Sequence, residues 1–388
     1  MSRDRVIDFA LILAAALVGL IGWSGEVLAL PVSLLFATIW STGRSRLVVA
    51  PASAAYFLAA SHGLPLGIAR YYGDHGLSGY ALWVAASLGF VAVYTLAWSS
   101  RTSRMRPARF GFAGLAMAIP PFGIVGWAHP ITAAGVLFPG WGWWGIFATA
   151  TGMAVLTTRR WPIAALALGG IWAWSAACGT PPSVESNWIG VDTVYGASLG
   201  RSFDLAMQHE LAGAVRRAAA SGAQIVVLPE SALGYWTATS ARFWHAETLS
   251  TEITIVGGAS VVDTGGYDNV LVAVDSDGDR IVYRQRMPVP VSMWQPWRNL
   301  VGQTSGAHAW LYSNPSVEMH GASVAPVICY EQLLVWPILQ SMLSNPDLIV
   351  AVGNNWWATG TSIMAIQRSS TEAWGRLFGI PIVFAFNQ

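Results

Sequence analysis

Seven long runs almost free of charged side chains fill the first half of this 388-residue sequence, and they constrain its fold more than any other feature. Each run approaches the roughly 20 residues that a helix needs to cross the hydrocarbon core of a bilayer. The predicted spans are Ile7–Trp23, Val27–Gly43, Leu47–Ala69, Tyr80–Trp98, Phe110–Trp127, Ile131–Leu156 and Pro162–Cys178. We therefore expect a multi-pass α-helical membrane domain. Within it, the glycine- and tryptophan-rich stretch Phe138–Gly145 predicts a break before the sixth helix.

Arginine clusters alternate between the two sides of these predicted spans. The clusters precede span one and follow spans two, four and six; they comprise Arg3, Arg5, Arg44, Arg46, Arg101, Arg104, Arg106, Arg109, Arg159 and Arg160. Loops rich in Lys and Arg remain in the cytoplasm. With seven spans, this pattern predicts a bacterial inner-membrane protein with a cytoplasmic N-terminus and a periplasmic C-terminal domain.

The distribution of acidic residues divides the sequence in two. Residues 1–180 contain four Asp or Glu, and the remaining residues contain sixteen. The change coincides with a Gly- and Pro-containing stretch after Cys178, which favours a linker. We therefore predict a membrane domain at 1–179 and a second domain at 180–388. The net charge of +1 gives no indication of direct nucleic-acid binding.

The C-terminal half alternates apolar strand-like runs with helical periodicity. Its predicted strands include Ile225–Glu230, Ile253–Val262, Ser323–Glu331, Leu348–Trp357 and Ile380–Phe386, and its predicted helices include Arg201–Ser221 and Gln367–Phe378. Alternation of this kind is typical of an α/β domain in which helices cover a buried sheet.

Chemically competent side chains come at the ends of two predicted strands. Glu230 ends one strand, Cys329 ends another, and Glu331 lies two residues beyond the cysteine. A thiol beside carboxylates suggests a thiolate nucleophile with a carboxylate base, although a buried structural cysteine is the commoner case. The histidines have no metal-ligand spacing, so we predict neither a metal nor a cofactor.

Five segments occur in an order that resembles the nitrilase, or carbon–nitrogen hydrolase, superfamily. They are VVLPES, the VP-containing loop after Tyr283–Arg284, VICYE, GNNWW and LFGIP. With membrane helices in front, the sequence is similar to the apolipoprotein N-acyltransferase branch. The resemblance implies a nitrilase-like αββα sandwich in which Glu230 is the general base and Cys329 forms an acyl thioester.

The same resemblance implies roles for further residues. Tyr330 and Glu331 match the residues that follow the family nucleophile, and Asn355 and Trp356 match a motif near the donor side. It also implies a membrane lipid as the acyl donor and a lipoprotein or conjugation-machinery protein as a partner. The family's last strands and final membrane helix have no counterpart before Gln388.

The catalytic lysine of the family is replaced here by Gln285, and the sequence contains no lysine at all. Strand alternation predicts that Arg284 and Arg286 point to the face opposite Gln285. An arginine could stabilise an oxyanion, but its pKa above about 12 prevents it from cycling a proton. A slowed or altered enzyme and a catalytically silent fold are therefore both open.

Trp294 and Trp297 follow the predicted site strands and suggest contact with lipid or core packing in equal measure. The sequence also resembles conjugal-transfer membrane proteins of Ti-type plasmids, through its lysine-free composition, Gly22–Gly25 and the AWGRLFGIP segment. This implies a role in conjugation. The alternatives are an acyl-thioester enzyme and a silent envelope or mating-channel assembly factor; a small-amide hydrolase is less favoured, because such an enzyme needs no membrane domain.

Overall fold

The computed structural model describes residues 3–73, 77–100, 103–125, 127–179, 182–184, 187–199, 204–313 and 315–388. The chain divides into two compact units. The first comprises Met1–Pro182, Leu333–Trp336 and Gly360–Ile380, and the second comprises Ser183–Gln332, Pro337–Thr359 and Pro381–Gln388. Two segments expected in the C-terminal domain, Leu333–Trp336 and Gly360–Ile380, therefore belong to the first unit.

Helices form most of the first unit. They are α1 (Arg3–Gly22), α2 (Leu35–Thr42), α3 (Arg46–Ala60), α4 (Leu64–Tyr72), α5 (Ser78–Ala97), α6 (Arg106–Ala118), α7 (Ala134–Leu137), α8 (Gly142–Leu156) and α9 (Trp161–Cys178). By length and composition, α1, α5 and α9 could each cross a membrane, and α3 with α4 would make a fourth span bent by 56°. The described residues thus contain three or four such spans, and the seven-span topology stays a prediction.

The remaining predicted spans are interrupted for identifiable reasons. The second begins as a 3-10 helix, Val27–Leu34, which contains Pro31. The fifth ends at Ala118, shortly before Pro120 and Pro121. The sixth breaks between α7 and α8, where Gly140 and Gly142 adopt positive φ angles. This break falls within the stretch that the sequence indicates to be a poor helix centre.

Aromatic side chains fill the core of the first unit. Phe36 stacks on Tyr56 at 4.5 Å between ring centroids, and it packs edge-on against Tyr94 at 5.1 Å. The indole of Trp23 donates a hydrogen bond to the Tyr56 hydroxyl at 2.9 Å, and Trp40 donates to the Tyr94 carbonyl at 2.8 Å. The indole N–H groups of Trp23 and Trp40 are thus satisfied within the protein, as an apolar surrounding favours.

The two C-terminal segments of the first unit supply helix α13 (Ile363–Phe378); helix α12 (Val335–Met342) starts in Leu333–Trp336. Helix α13 lies against α7 so closely that a Cβ on Gly135 would come 1.6 Å from the Ala373 carbonyl oxygen. Its apolar side chains, including Trp374, are buried. Packing against the helical unit, rather than its position in the sequence, therefore decides where this helix belongs.

The second unit contains two β-sheets. The first has the order β1 (Trp188–Gly190), β2 (Ile225–Val227), β3 (Thr254–Val262), β4 (Tyr267–Asp275) and β5 (Gly278–Arg284); the second has the order β6 (Val317–Met319), β7 (Ala322–Ile328), β8 (Leu348–Asn354) and β9 (Ile382–Asn387). Strands β1, β2 and β3 are parallel, as are β7, β8 and β9.

The inner faces of the two sheets share one apolar core. Ile225 and Val256 from the first sheet belong to it together with Ile328 and Val350 from the second. Helices α10 (Leu205–Ala220) and α11 (Ala238–Thr251) cover the opposite face of the first sheet. These layers confirm the predicted α/β class of a nitrilase-like domain.

Candidate active site

Glu230 lies in the turn that follows β2, and its side chain is buried. The turn is tight, because Ser231 has a positive φ of 64°. It also rests directly on β3: a Cβ added to Gly258 would come 2.5 Å from the Glu230 Cα and from the Ser231 nitrogen. A glycine is therefore needed at position 258 for Glu230 to reach this place.

Cys329 directly follows β7 and begins the 3-10 helix Cys329–Leu333. Its φ of 51° places it in the left-handed region, which few non-glycine residues adopt. The side chain is 4% exposed, and its thiol is hydrogen-bonded to the Glu230 carboxylate. The structure therefore brings together the predicted nucleophile and the predicted base, which are far apart in the sequence.

Two neutral donors hold the Glu230 carboxylate. The Asn269 side-chain amide donates to Oε1 at 2.7 Å, and the Asn354 backbone amide donates to Oε2 at 2.9 Å. Burial raises the pKa of Glu230 above its ordinary value, and the hydrogen bonds from Asn269, Asn354 and Cys329 offset part of that rise. A carboxylate with a raised pKa beside a thiol is suited to general-base catalysis near neutral pH.

Gln285, at the position where the sequence resemblance predicts a lysine, belongs to the same hydrogen-bond network. Its Oε1 accepts the second hydrogen bond of the Asn269 amide at 2.8 Å, and its Nε2 donates to the Ile328 carbonyl at 3.0 Å. The residue is completely buried. A continuous neutral network therefore runs from Glu230 through Asn269 and Gln285 to the residue before Cys329.

Both neighbouring arginines are engaged with other partners, and because β5 ends at Arg284, strand alternation does not set the direction of Arg286. Arg284 forms an ion pair with Asp268 at 2.9 Å and stacks over the Trp310 ring. The Arg286 guanidinium is buried, where it donates to the Tyr283 hydroxyl at 2.9 Å and to Ser341 Oγ at 3.0 Å. Neither therefore takes the place of the family lysine in this arrangement.

Glu331 fixes the backbone around the cysteine. Its carboxylate accepts hydrogen bonds from the backbone amides of Ile328 (2.7 Å), Arg286 (2.6 Å) and Met287 (3.1 Å), and from the Tyr283 hydroxyl. Desolvation raises the pKa of Glu331, and the charge of Arg286 opposes the rise. These partners all lie in the segments that flank the site, which is the geometry of a positioning residue.

The remaining predicted site residues have different surroundings. Tyr330 is buried next to Cys329. Asn355 is also buried, and its backbone amide donates to the Asn387 carbonyl at 2.7 Å, immediately before the short 3-10 helix Trp356–Ala358. Trp294 lines a cavity of about 350 Å³, whereas Trp297 is half exposed.

Sequence reasoning missed Asn269 and Gly258. Asn269 directly precedes the apolar run of β4, and an amide next to such a run is a signal that could have identified it. Gly258 belongs to a Gly-Gly pair inside a strand, which often marks a close backbone approach. Among the described residues, no group of three or more His, Cys, Asp or Glu could hold a metal ion.

Comparison with known proteins identifies relatives over the full length of the chain. A carbon–nitrogen hydrolase family model matches residues 237–376, which include Gln285 and Cys329. The conjugal transfer protein TraB of Agrobacterium fabrum is 51% identical over all of this chain and 94% of its own length. The probable conjugal transfer protein TraB of Sinorhizobium fredii is 52% identical over 100% of both chains.

Two solved structures show a distant likeness. A nitrilase-superfamily amidase from Nesterenkonia AN1 matches 54% of this chain and 79% of its own, with 13% identity and a TM-score of 0.39. A carbon–nitrogen hydrolase from Helicobacter pylori matches 52% of this chain and 75% of its own, with 12% identity and a TM-score of 0.41.

Proposed function

Because the chain belongs to the TraB family of conjugal transfer proteins and contains a carbon–nitrogen hydrolase domain, we propose that it is a membrane-bound conjugation component that forms an acyl thioester on Cys329. The observation that carries the proposal is the buried network that leads from the Glu230 carboxylate through Asn269 and Gln285 to the carbonyl of Ile328, directly before the buried Cys329, whose thiol also interacts with Glu230. A purely structural cysteine requires neither a carboxylate partner nor a left-handed backbone.

The first step transfers an acyl group from a lipid ester to the protein. Glu230 takes the thiol proton as Cys329 Sγ bonds to the ester carbonyl carbon. The tetrahedral intermediate then collapses, the ester C–O bond breaks, and the departing glycerol oxygen receives the proton from Glu230. The products are a thioester on Cys329 and a lysophospholipid.

The second step releases the acyl group to an amine. The amine nitrogen attacks the thioester carbonyl, Glu230 accepts a proton from that nitrogen, and the C–S bond breaks. Glu230 then returns the proton to Sγ, so the amide product leaves a regenerated thiol. A lipoprotein N-terminus or an amine of the conjugation machinery has the chemistry of such an acceptor.

Gln285 supplies the electrophilic assistance that a lysine provides in the family pattern. Its amide lies between Asn269 and the Ile328 carbonyl, so its Nε2 is held beside Cys329. A neutral donor stabilises an oxyanion less well than a cation does, and loss of one good donor costs about 10²–10³ in rate. The proposed enzyme is therefore slow.

Intact mass spectrometry tests the proposal. The purified full chain is incubated with phospholipid vesicles, in parallel with the Cys329→Ser and Cys178→Ser variants. We expect an added acyl mass in the parent and in the exposed-cysteine control Cys178→Ser, and none in Cys329→Ser. An adduct that persists in Cys329→Ser, or folded parent protein without any adduct, would overturn the thioester.

A catalytically silent envelope or mating-channel assembly factor is the second candidate. The observation in its favour is that both ends of the Gln285 amide are already hydrogen-bonded within the protein. Plasmid transfer by a Cys329→Ala strain separates the two candidates. Transfer at the parental frequency favours the silent fold, whereas a loss comparable to that of a null strain, with normal protein levels, supports the enzyme.

The proposed localisation is the bacterial inner membrane, with the second unit in the periplasm. The arginine pattern and the apolar helices α1, α5 and α9 support it. Alkaline phosphatase fused after Gln388 should be active in cells, because this reporter folds in the periplasm. An inactive fusion alongside a fluorescent cytoplasmic reporter at the same position would place the unit on the other side.

A further inference from the structure

The segment Met287–Ser313, here termed the aromatic loop, exposes an unusual number of large apolar side chains. Leu300 is 88% exposed, Val301 71% and Tyr312 70%, and Trp297 and Trp310 are about half exposed. Contiguous exposed apolar side chains on a folded domain mark contact with another apolar phase. The exposed apolar side chains of the aromatic loop therefore indicate a surface that is covered by another apolar phase.

The aromatic loop is an ordered structure rather than a loose tail. The Trp294 amide donates to the Val289 carbonyl at 3.0 Å, and the Ala307 amide donates to the Met293 carbonyl at 2.8 Å. The 3-10 helix Pro296–Val301 displays Trp297 and Leu300 on its surface. The apolar side chains are consequently presented by a fixed scaffold.

The charge of the loop favours a lipid surface over a polar partner. Residues 287–313 contain no Asp or Glu and a single arginine, Arg298, although the rest of the second unit carries acids at ordinary density. Arg298 is bound to the side chains of Gln295 (2.8 Å) and Gln303 (3.0 Å). Trp and Tyr next to aliphatic residues without acids are typical of the headgroup level of a bilayer.

This inference rests on the proposed membrane localisation, in which the chain leads from a membrane-spanning helix into the second unit. Helix α9, one of the helices able to span a bilayer, ends at Cys178, and the second unit begins at Ser183. The five intervening residue steps reach at most about 18 Å even when fully extended. With that localisation a bilayer is always available to this unit, whereas a protein partner must first arrive.

We infer that the aromatic loop is a lipid-binding surface that inserts Trp297, Leu300 and Val301 into the interfacial region of the bilayer. Trp310, which is half exposed in this loop, also lines the cavity of about 350 Å³ together with Trp294. Its backbone amide donates to the Gln285 carbonyl at 3.2 Å. The surface thus connects a membrane contact to the backbone of a site residue.

Site-directed spin labelling tests this inference in the full chain. A cysteine is introduced as Leu300→Cys in a Cys178→Ser, Cys329→Ser background, labelled with a nitroxide and reconstituted in vesicles of zwitterionic and anionic phospholipid. Leu343→Cys is the matched control, because Leu343 is 72% exposed and lies outside the loop. Collisions with oxygen report lipid, and collisions with a water-soluble nickel chelate report water.

In vesicles, we expect the ratio of oxygen to nickel collisions to be several-fold higher at Leu300 than at Leu343. After the detergent is exchanged for amphipol without lipid, we expect the two positions to give the same ratio. Equal ratios in vesicles would overturn the inference. Shielding of the Leu300 label from both reagents would also overturn it, since that result indicates a protein occupant. The background lacks Cys329, so the outcome is independent of thioester formation.

Discussion

Replacing Glu331 by glutamine should destabilise the protein, because this carboxylate is an acceptor for backbone donors that have no alternative. Its two oxygens accept from three buried amides, those of Ile328, Arg286 and Met287, and from the Tyr283 hydroxyl. A glutamine of the same shape replaces one of these oxygens by an NH₂ donor. Whichever oxygen is replaced, at least one backbone amide then faces a donor.

The magnitude follows from these contacts. A buried donor left without an acceptor costs about 1–3 kcal/mol. Removal of the negative charge also removes the favourable electrostatic interaction of Glu331 with the buried Arg286. Breaking a buried ion pair costs about 3–5 kcal/mol in unfavourable cases. Since Arg286 keeps its bonds to Tyr283 and Ser341, we take the lower part of this range and expect a loss of about 3 kcal/mol.

Thermal unfolding of the purified chain, followed by tryptophan fluorescence, measures the effect. Each kcal/mol corresponds to about 2–4 °C for a unit of this size, so the Tm should fall by about 6–12 °C. Glu318→Gln is the matched control, because Glu318 is exposed on β6. A Tm for Glu331→Gln equal to that of Glu318→Gln would refute the positioning role of Glu331.

Three further predictions concern the same site. Gln285→Lys places a cation beside the oxyanion position and should raise the rate of Cys329 acylation about 10²-fold in the vesicle assay, whereas an unchanged rate would contradict the role given to Gln285. Gly258→Ala drives a Cβ into the Glu230 turn and should abolish acylation, while Gly213→Ala on the surface of α10 should leave it intact; equal effects would argue against the close approach. Burial raises the pKa of Glu230 in the folded state, so the stability that this side chain contributes is fully present below about pH 4.3 and is lost as the pH rises through the raised pKa. The free energy of unfolding of Glu230→Gln, measured with urea, should therefore improve relative to that of the parent between acidic and neutral pH. A difference that does not depend on pH would refute this.

The interruption of the predicted membrane spans illustrates where hydropathy stops being informative. Hydropathy detects an apolar run but not the point at which a helix ends inside it. The break at Phe138–Trp141 was visible in the sequence because it contains glycines. The bend between α3 and α4 was not predicted, because the connecting Ser61–Gly63 contains a single glycine and lies within a run that is apolar on both sides.

The location of helix α13 shows a second limit. Its amphipathic pattern correctly predicted a helix near Gln367–Phe378. The same pattern fits burial against a sheet or against other helices equally well. The contact of Ala373 with Gly135, more than two hundred residues earlier, assigns the helix to the first unit.

The sequence by itself determined the α/β class, because apolar strand and helix patterns are local. It also predicted Glu230, Cys329 and Gln285 as site residues, but through the order of motifs that resembles a family rather than through local pattern alone. The tertiary structure alone decided that Asn269 joins Glu230 to Gln285, that Gly258 makes room for the Glu230 turn, and that Arg286 turns away. Those facts depend on which strands become neighbours, and strand periodicity specifies the face of a side chain but not its partner.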